Sequence, residues 1–268
     1  MSAPVAFAPE RSSAPKVLKN SASTAEFFNY MDMKTIIVDS RISEKCEKSL
    51  IDEGFSLLKL PPDKSLGYGI ASHPDTVLFY HEGKIITTRD YLNQESAFFS
   101  ELTKRLPHLS IQATEDIRAS EYPGDCIMNA LVIGKTIFCK TDTVSEAIME
   151  LARRGGYKIC HTKQGYPACS VLSFGECAIT ADKGLASLME KNGIRVTLIS
   201  SGGISLPPYE YGFIGGASGV YEDKIYFFGD LSSHPDGEII SKAIRDGGFT
   251  PISLSDEPLA DLGGIIAL

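Results

Sequence analysis

The stretch TVLFYHEGKIITT, residues 76–88, holds two short apolar runs joined by Glu82-Gly83. A glycine-containing dipeptide between such runs reads as a β-hairpin. A helical pattern follows at 94–106, then a break at Pro107 and a third apolar segment, HLSIQAT (108–114). The same order comes round again. CIMNALVIGKTIFCK (126–140) leads to a helical pattern at 143–154 and YKICHT (157–162). SVLSFGECAIT (170–180) leads to one at 182–191 and IRVTLIS (194–200), and ASGVYEDKIYFFG (217–229) to one at 236–246 and FTPISL (249–254). A fifth copy is divided. Its helix (40–53) and last strand, FSLLKL (55–60), come early, and its opening strand is the final LGGIIAL (262–268). Repeats of this length signal a solenoid or a propeller, and a repeat shared between the two ends closes a ring. The expected fold is α/β, a five-bladed propeller of ββαβ units whose last blade is closed by the N- and C-terminal segments.

Local signals agree. Thr143-Val-Ser-Glu146 matches a capping box ahead of Ala147, Ile148 and Leu151, and Gly155-Gly156 ends that helix. Asp182 and Asp236 are expected to cap helices whose apolar residues recur at helical spacing. The strand after each helix is strongly apolar, which predicts burial within a sheet.

Composition bounds the partners. The chain has 268 residues, a hydrophobic content of 43% and a net charge of −8, with no run of Lys or Arg. That balance predicts no nucleic-acid partner, and no apolar stretch approaches the roughly 18 residues of a membrane span. Six cysteines show no CxxC pair and no metal-ligand spacing, so neither metal nor cofactor is implied and a reduced, cytoplasmic protein is expected. Residues 1–32, rich in Ser, Ala and Pro, read as a disordered tail without a secretory signal. Residues 33–268 read as one propeller domain. A dinucleotide-binding sheet is poorly supported, because the glycine-rich run 212–219 precedes a strand rather than the helix N-terminus a phosphate needs.

Five ββαβ units, one split between the termini, resemble the penteins, the five-bladed α/β propellers that include guanidine-modifying enzymes. More narrowly, QGYPACSV (164–171), YGFIGGASG (211–219), FFGDLSSHPDG (227–237) and ADLGGIIAL (260–268) resemble a bacterial family of that fold with no established reaction. The resemblance implies acidic residues, a His and a Cys gathered at the inner strand ends. Carboxylates hold a planar guanidinium bidentately, a thiolate attacks its carbon, and a His moves protons to the leaving nitrogen. In such enzymes the Cys stands near the C-terminus, one residue after a Gly-Gly-Ile-His stretch. Here Gly263-Gly264-Ile265-Ile266-Ala267 puts Ala267 in the place of the Cys and Ile266 in that of the His.

A thiol chemistry therefore has to come from another blade. Cys169, at the start of an inner strand, is the first candidate and Cys126 the second; buried cysteines are otherwise inert packing. Asp75 and Asp125 open the inner strands of adjacent units and either face a small cationic ligand together or cap turns and face water. Asn129, an amide in an apolar strand, either holds that ligand or ties two strands together. Gly215 and Gly216 allow a ligand or another backbone to approach closely. His73 and His234 both lie in Ser-His-Pro-Asp, and His234 ranks first as acid/base, ahead of His73 and His161. His81 and His108 read as solvated. The set Cys169, His234 and Asp125 with Asp75, Asn129, Gly215 and Gly216 suits a thiol-dependent hydrolase or transferase of a guanidino or amidino compound. The alternative is a non-catalytic propeller that binds a protein or a small ligand.

Overall fold

The computed structural model describes residues 34–268; the expected tail at 1–32 lies outside the described residues. The chain opens with β1 (Lys34–Asp39), α1 (Glu44–Asp52) and β2 (Phe55–Leu60). The second blade follows a short helix α2 (Pro74–Val77) with β3 (Phe79–His81), β4 (Lys84–Thr88), α3 (Arg89–Gln94), α4 (Ser96–Arg105) and β5 (Ser110–Thr114). The third has β6 (Ala130–Ile133), β7 (Thr136–Cys139), α5 (Glu146–Arg154) and β8 (Lys158–His161). The fourth has α6 (Pro167–Ser170), β9 (Val171–Phe174), β10 (Cys177–Thr180), α7 (Lys183–Glu190) and β11 (Arg195–Leu198). The fifth has β12 (Ser218–Tyr221), β13 (Lys224–Phe227), a 3-10 turn at Leu231–Ser233, α8 (Gly237–Asp246) and β14 (Thr250–Ser253). Last comes β15 (Ile266–Ala267), which pairs antiparallel with β1 in the order β15-β1-β2 and so opens the first blade. Every blade is a three-stranded sheet with an antiparallel pair on the inner side and a parallel pair on the outer.

The middle strand decides the assembly. Successive side chains of a strand point to opposite faces, and here both faces are apolar. Ile85 of β4 packs with the first blade, in the cluster of Ile37 and Leu58, while Ile86 packs with the third, beside Ile137. Phe138 of β7 joins Val171 and Ala178, and Ile179 of β10 joins Ile225 and Phe227. Tyr226 and Phe228 then pack on Ile36 and Val38 of β1. Five cores thus lie between successive blades, and the fifth joins the last blade to the first.

Several expectations are corrected. The apolar strands that follow the helices are edge strands, half-exposed in β11 and β14, and full burial belongs to the middle strands. The predicted helix at 94–106 is present as α4, and a further short helix, α3, precedes it and meets it at Glu95. Ser145, not Thr143, caps α5: its Oγ accepts from Ala147 N, while Thr143 N is spent on a turn to Lys140 O. Asp182 caps α7 as expected, but Asp236 turns away from its own helix to accept from Ser200 N. The inner strands start later than predicted, since Asp75 and Cys169 lie in single-turn helices begun by Pro74 and Pro167. Proline suits that first helical position. The β3–β4 connection is the two-residue turn expected, with positive φ at Glu82 and Gly83.

If the ring is closed by β15, removal of residues 265–268 strips β1 of its inner partner and opens the core between the fifth and first blades. The melting temperature is expected to fall by about 10 °C in calorimetry, and an unchanged melt would refute closure. Phe227→Ala, at a fully buried ring, should cost about 3–5 kcal/mol in denaturant titration.

Candidate active site

The starts of the inner strands meet at one end of the ring, and their polar groups interlock. Asn129 donates through Nδ2 to the Asp75 carbonyl (2.9 Å) and to Cys169 Sγ (3.2 Å), while its Oδ1 accepts from Ala168 N (2.8 Å). Its amide is fully used in tying three blades together. The Cys169 thiol lies beside the Asp75 carboxylate, whose Oδ1 accepts from Thr76 Oγ1 (3.2 Å). Part of Asp75 faces an inner cavity, yet its Oδ2 is out of reach of solvent and has no partner.

Beside them stands His73, 1% exposed. Its Nε2 lies 3.9 Å from Asp39 Oδ2 and its Nδ1 3.7 Å from Asp261 Oδ1, too far for hydrogen bonds, and neither nitrogen has another partner. Asp39 is held by Arg41 through Nε and Nη2 (2.9 and 2.5 Å). Asp261 accepts from Phe213 N (2.8 Å) and Gly263 N (3.0 Å). Two glycines are dictated by this crowding. Gly263 has φ +68° and lies against the His73 ring, and a Cβ on Gly216 would collide with the Asp261 carboxylate. Gly215 likewise packs against the backbone carbonyls of Ala168, Val171 and Cys169. Close approach of backbone at Gly215 and of the Asp261 side chain at Gly216 explains both residues of the pair.

Burial governs the ionisation. It pushes Asp75 up to about 8, helped by the nearby Asp261 carboxylate. Burial also lifts Asp261 and Asp125 above the usual carboxylate range, and lifts the Cys169 thiol well above its ordinary value, with Asp75 and Asp261 adding to the effect. The same cause lowers His73, which burial keeps neutral in spite of two flanking carboxylates.

Two cavities meet at this cluster. One, of about 420 Å³, runs along the axis and is lined by every inner strand: Tyr80, Val132, Leu172, Gly219 and Ile266, with Asp75 at its end. Ala267 lines this axial cavity. The other, of about 430 Å³, is lined by Cys169, His73, Asp125, Asp261 and Tyr166. The Tyr166 hydroxyl bears on the Asp125 carboxylate, whose Oδ1 is otherwise unpartnered.

The structure therefore gathers Cys169, Asp75, Asn129 and Asp125, with Gly215 and Gly216 packed behind them. It places His234 elsewhere. That side chain is buried at the border of two other cavities, and its Nδ1 accepts from Asp236 N (3.0 Å). His161 is exposed and bonded to Thr141 Oγ1. His81 is not solvated; it meets the Tyr157 hydroxyl at 2.5 Å, whereas His108 is exposed. Cys126 is buried beside Gly165 with its thiol pushed up to about 12. Asp39, Asp261 and Tyr166 escaped sequence reasoning, although Asp261 lies in ADLGGIIAL and Tyr166 in QGYPACSV, and His73 directly precedes Pro74-Asp75. Among the described residues no group of His, Cys, Asp and Glu could hold a metal, and no helix is long and apolar enough to cross a membrane.

Solved structures that share this ring are penteins. The N-terminal domain of an arginine dihydrolase from the ornithine–ammonia cycle in Cyanobacteria, bound to product, shares 10% identity over 85% of this chain and 91% of its own, with a TM-score of 0.52. DDAH from Pseudomonas aeruginosa, a mutant complexed with citrulline, shares 11% over 84% and 92% (TM-score 0.51). An amidinotransferase of the saxitoxin pathway from Microseira wollei shares 13% over 83% and 89% (TM-score 0.51). These likenesses establish the fold: the protein is a pentein-type α/β propeller. No curated protein matches the sequence. Residues 37–266 match the model described as "Family of unknown function (DUF6873)", and the chain belongs to that family.

In the folded protein Asp75 keeps its proton up to about pH 8, whereas the unfolded chain releases it near pH 4. The folded state binds the extra proton across that window, so this carboxyl makes stability fall as pH rises from 4 to 8. Asp75→Asn is expected to flatten the fall, measured by denaturant titration at pH 5 and pH 8. A variant that tracks the parent protein at both pH values would show Asp75 to be ionised in the folded state.

Proposed function

We propose that this protein binds a small guanidinium or amidinium compound in the Cys169 cavity and that Cys169 attacks its central carbon, as a hydrolase or an amidino transferase. The observation that carries this reading is the meeting of a thiol, an unpartnered imidazole and unpaired carboxylates at one cavity wall. Asp125 and Asp261 present acceptors to a planar cation, which offers a fork of donors. The empty site keeps Cys169 as a thiol. A cation beside Asp125 and Asp261 offsets the negative field that raises it and favours the thiolate, so the substrate activates its own nucleophile.

The thiol proton passes to the neutral His73 imidazole, since Asp75 already holds a proton, and the Asn129 amide donates to the sulfur as charge develops there. The S–C bond forms and a C–N bond breaks. The departing amine takes the proton the thiol gave up, with His73 as the group in the cavity able to carry it. Water, or an acceptor amine in a transferase, then adds to the carbon as His73 takes its proton, and the thiolate leaves and recovers that proton. The pentein neighbours bind or process ligands of this chemistry, being an arginine dihydrolase, an amidinotransferase and a citrulline complex. A second reading keeps the cation site without the thiol step. Ala267 in the axial cavity, where the resemblance expects a Cys, favours it.

Chloroacetamidine and iodoacetamide separate the two. Chloroacetamidine is expected to label Cys169 at least about tenfold faster than the neutral reagent at pH 7.5, and methylguanidine to block it, read by peptide mass spectrometry. Asp125→Asn should remove most of that preference. Binding of methylguanidine without selective labelling would leave a receptor only.

A further inference from the structure

The proposed cation site has a mouth, and its chemistry excludes part of the guanidino compounds. Tyr122, Tyr209 and Tyr211 stand at the rim of the Cys169 cavity, 52%, 49% and 37% exposed, and Phe213 and Tyr166 continue the aromatic wall inward. Tyr122 and Tyr166 face each other at 5.9 Å between ring centroids, and Tyr211 meets Phe213 edge-on at 6.3 Å. Half-exposed tyrosines gathered at one opening cost a soluble protein apolar surface, and such groupings mark ligand sites.

Among the described residues the lining has no Lys or Arg, while it includes Glu121, Asp125 and Asp261. The nearby guanidinium groups are already committed. Arg41 is bound to Asp39 and to the carbonyls of Tyr68 and Gly69, and Arg118 to Asp63 and the Val77 carbonyl. A ligand carboxylate entering here would lose its water, find no counter-charge and face acidic side chains. An amino acid such as arginine is therefore a poor fit. A cation with a flat or apolar body gains instead from the aromatic faces.

Resting on the cation site proposed above, we infer that the substrate is a guanidine or amidine bearing an aryl or alkyl group and lacking a carboxylate. The positive head lies between Asp125 and Asp261 at Cys169, and the apolar body lies along Tyr122, Tyr209 and Tyr211. Discrimination against amino acids comes from the absence of a cation in the lining and not from a clash.

Calorimetric titration of the full chain with methylguanidine, benzylguanidine, butylguanidine and arginine tests this. Benzylguanidine is expected to bind at least about tenfold tighter than methylguanidine, and butylguanidine at least about tenfold tighter than arginine. The double variant Tyr122→Ala/Tyr209→Ala, both half-exposed and outside the core, should erase the benzyl advantage, read as the ratio of benzylguanidine to methylguanidine affinity. Arginine binding as tightly as butylguanidine, or a benzyl advantage that survives in the variant, overturns the inferred class while the guanidinium site stands. Failure of all four compounds to bind overturns the cation site itself, and this inference with it.

Discussion

No blade of this protein owns a core. Each middle strand is apolar on both faces, and with three strands a sheet cannot cover either face alone, so every face is buried against the neighbouring blade. An open row of such units would leave two apolar faces bare at its ends. Closure of the ring removes them, and β15 with Ile36 and Val38 is where closure happens. The need to bury both faces of β1 and β13 is therefore the constraint from which the circular architecture follows.

Closure has a second consequence, at the axis. Turns that would be dispersed in an open sheet are pressed together, and their backbone and side-chain polar groups must find partners away from water. Asn129 does so for three blades at once, and Asp261 pins the Phe213 and Gly263 amides. The two remaining blades approach through glycine, because Gly216 and Gly263 lie where a side chain would meet Asp261 or His73. What is left over after this mutual satisfaction is chemically informative. The His73 ring, Asp75 Oδ2 and Asp125 Oδ1 have no partner, and two of these residues line the cavity that holds Cys169.

The ring was legible in the sequence because its cause is periodic. Alternating apolar residues, a turn at Glu82-Gly83 and helices ended by glycine recur at fixed spacing, and even the division of one blade between the termini left a mark in LGGIIAL. Which strand of three lies in the middle was not legible, since Val196 and Ile252 in edge strands look as apolar as Ile179 and Ile225 in middle ones. Part of the site was legible as well. Cys169, Asp75, Asp125 and Asn129 each carry a polar or reactive group at a strand start, so repeat alignment singles them out. Asp39 ends a strand and Asp261 precedes one in a different part of the repeat, and only the folded ring sets them on either side of His73. Two Ser-His-Pro-Asp segments look alike in sequence, yet the one at 72–75 falls at the axis and the one at 233–236 before a peripheral helix.

The distribution of charge around the axis is what makes a cation the proposed ligand. Asp39 is matched by Arg41 and Asp63 by Arg118. Asp75, Asp125 and Asp261 have no such partner among the described residues, and their affinity for protons is raised by burial. A carboxyl in that situation has two ways to lower its free energy, holding a proton or receiving a positive group. For Asp75 the proton is the resting answer up to about pH 8, and burial favours the neutral Cys169 thiol and His73 imidazole as well. In the proposed reading a guanidinium is the other answer, favouring the ionised carboxyls and easing the proton on sulfur at the same time. An anion would do the reverse, raising the thiol further and adding to an uncompensated negative field. The preference for one sign of charge in the proposed reading thus follows from which carboxylates the fold leaves unpaired.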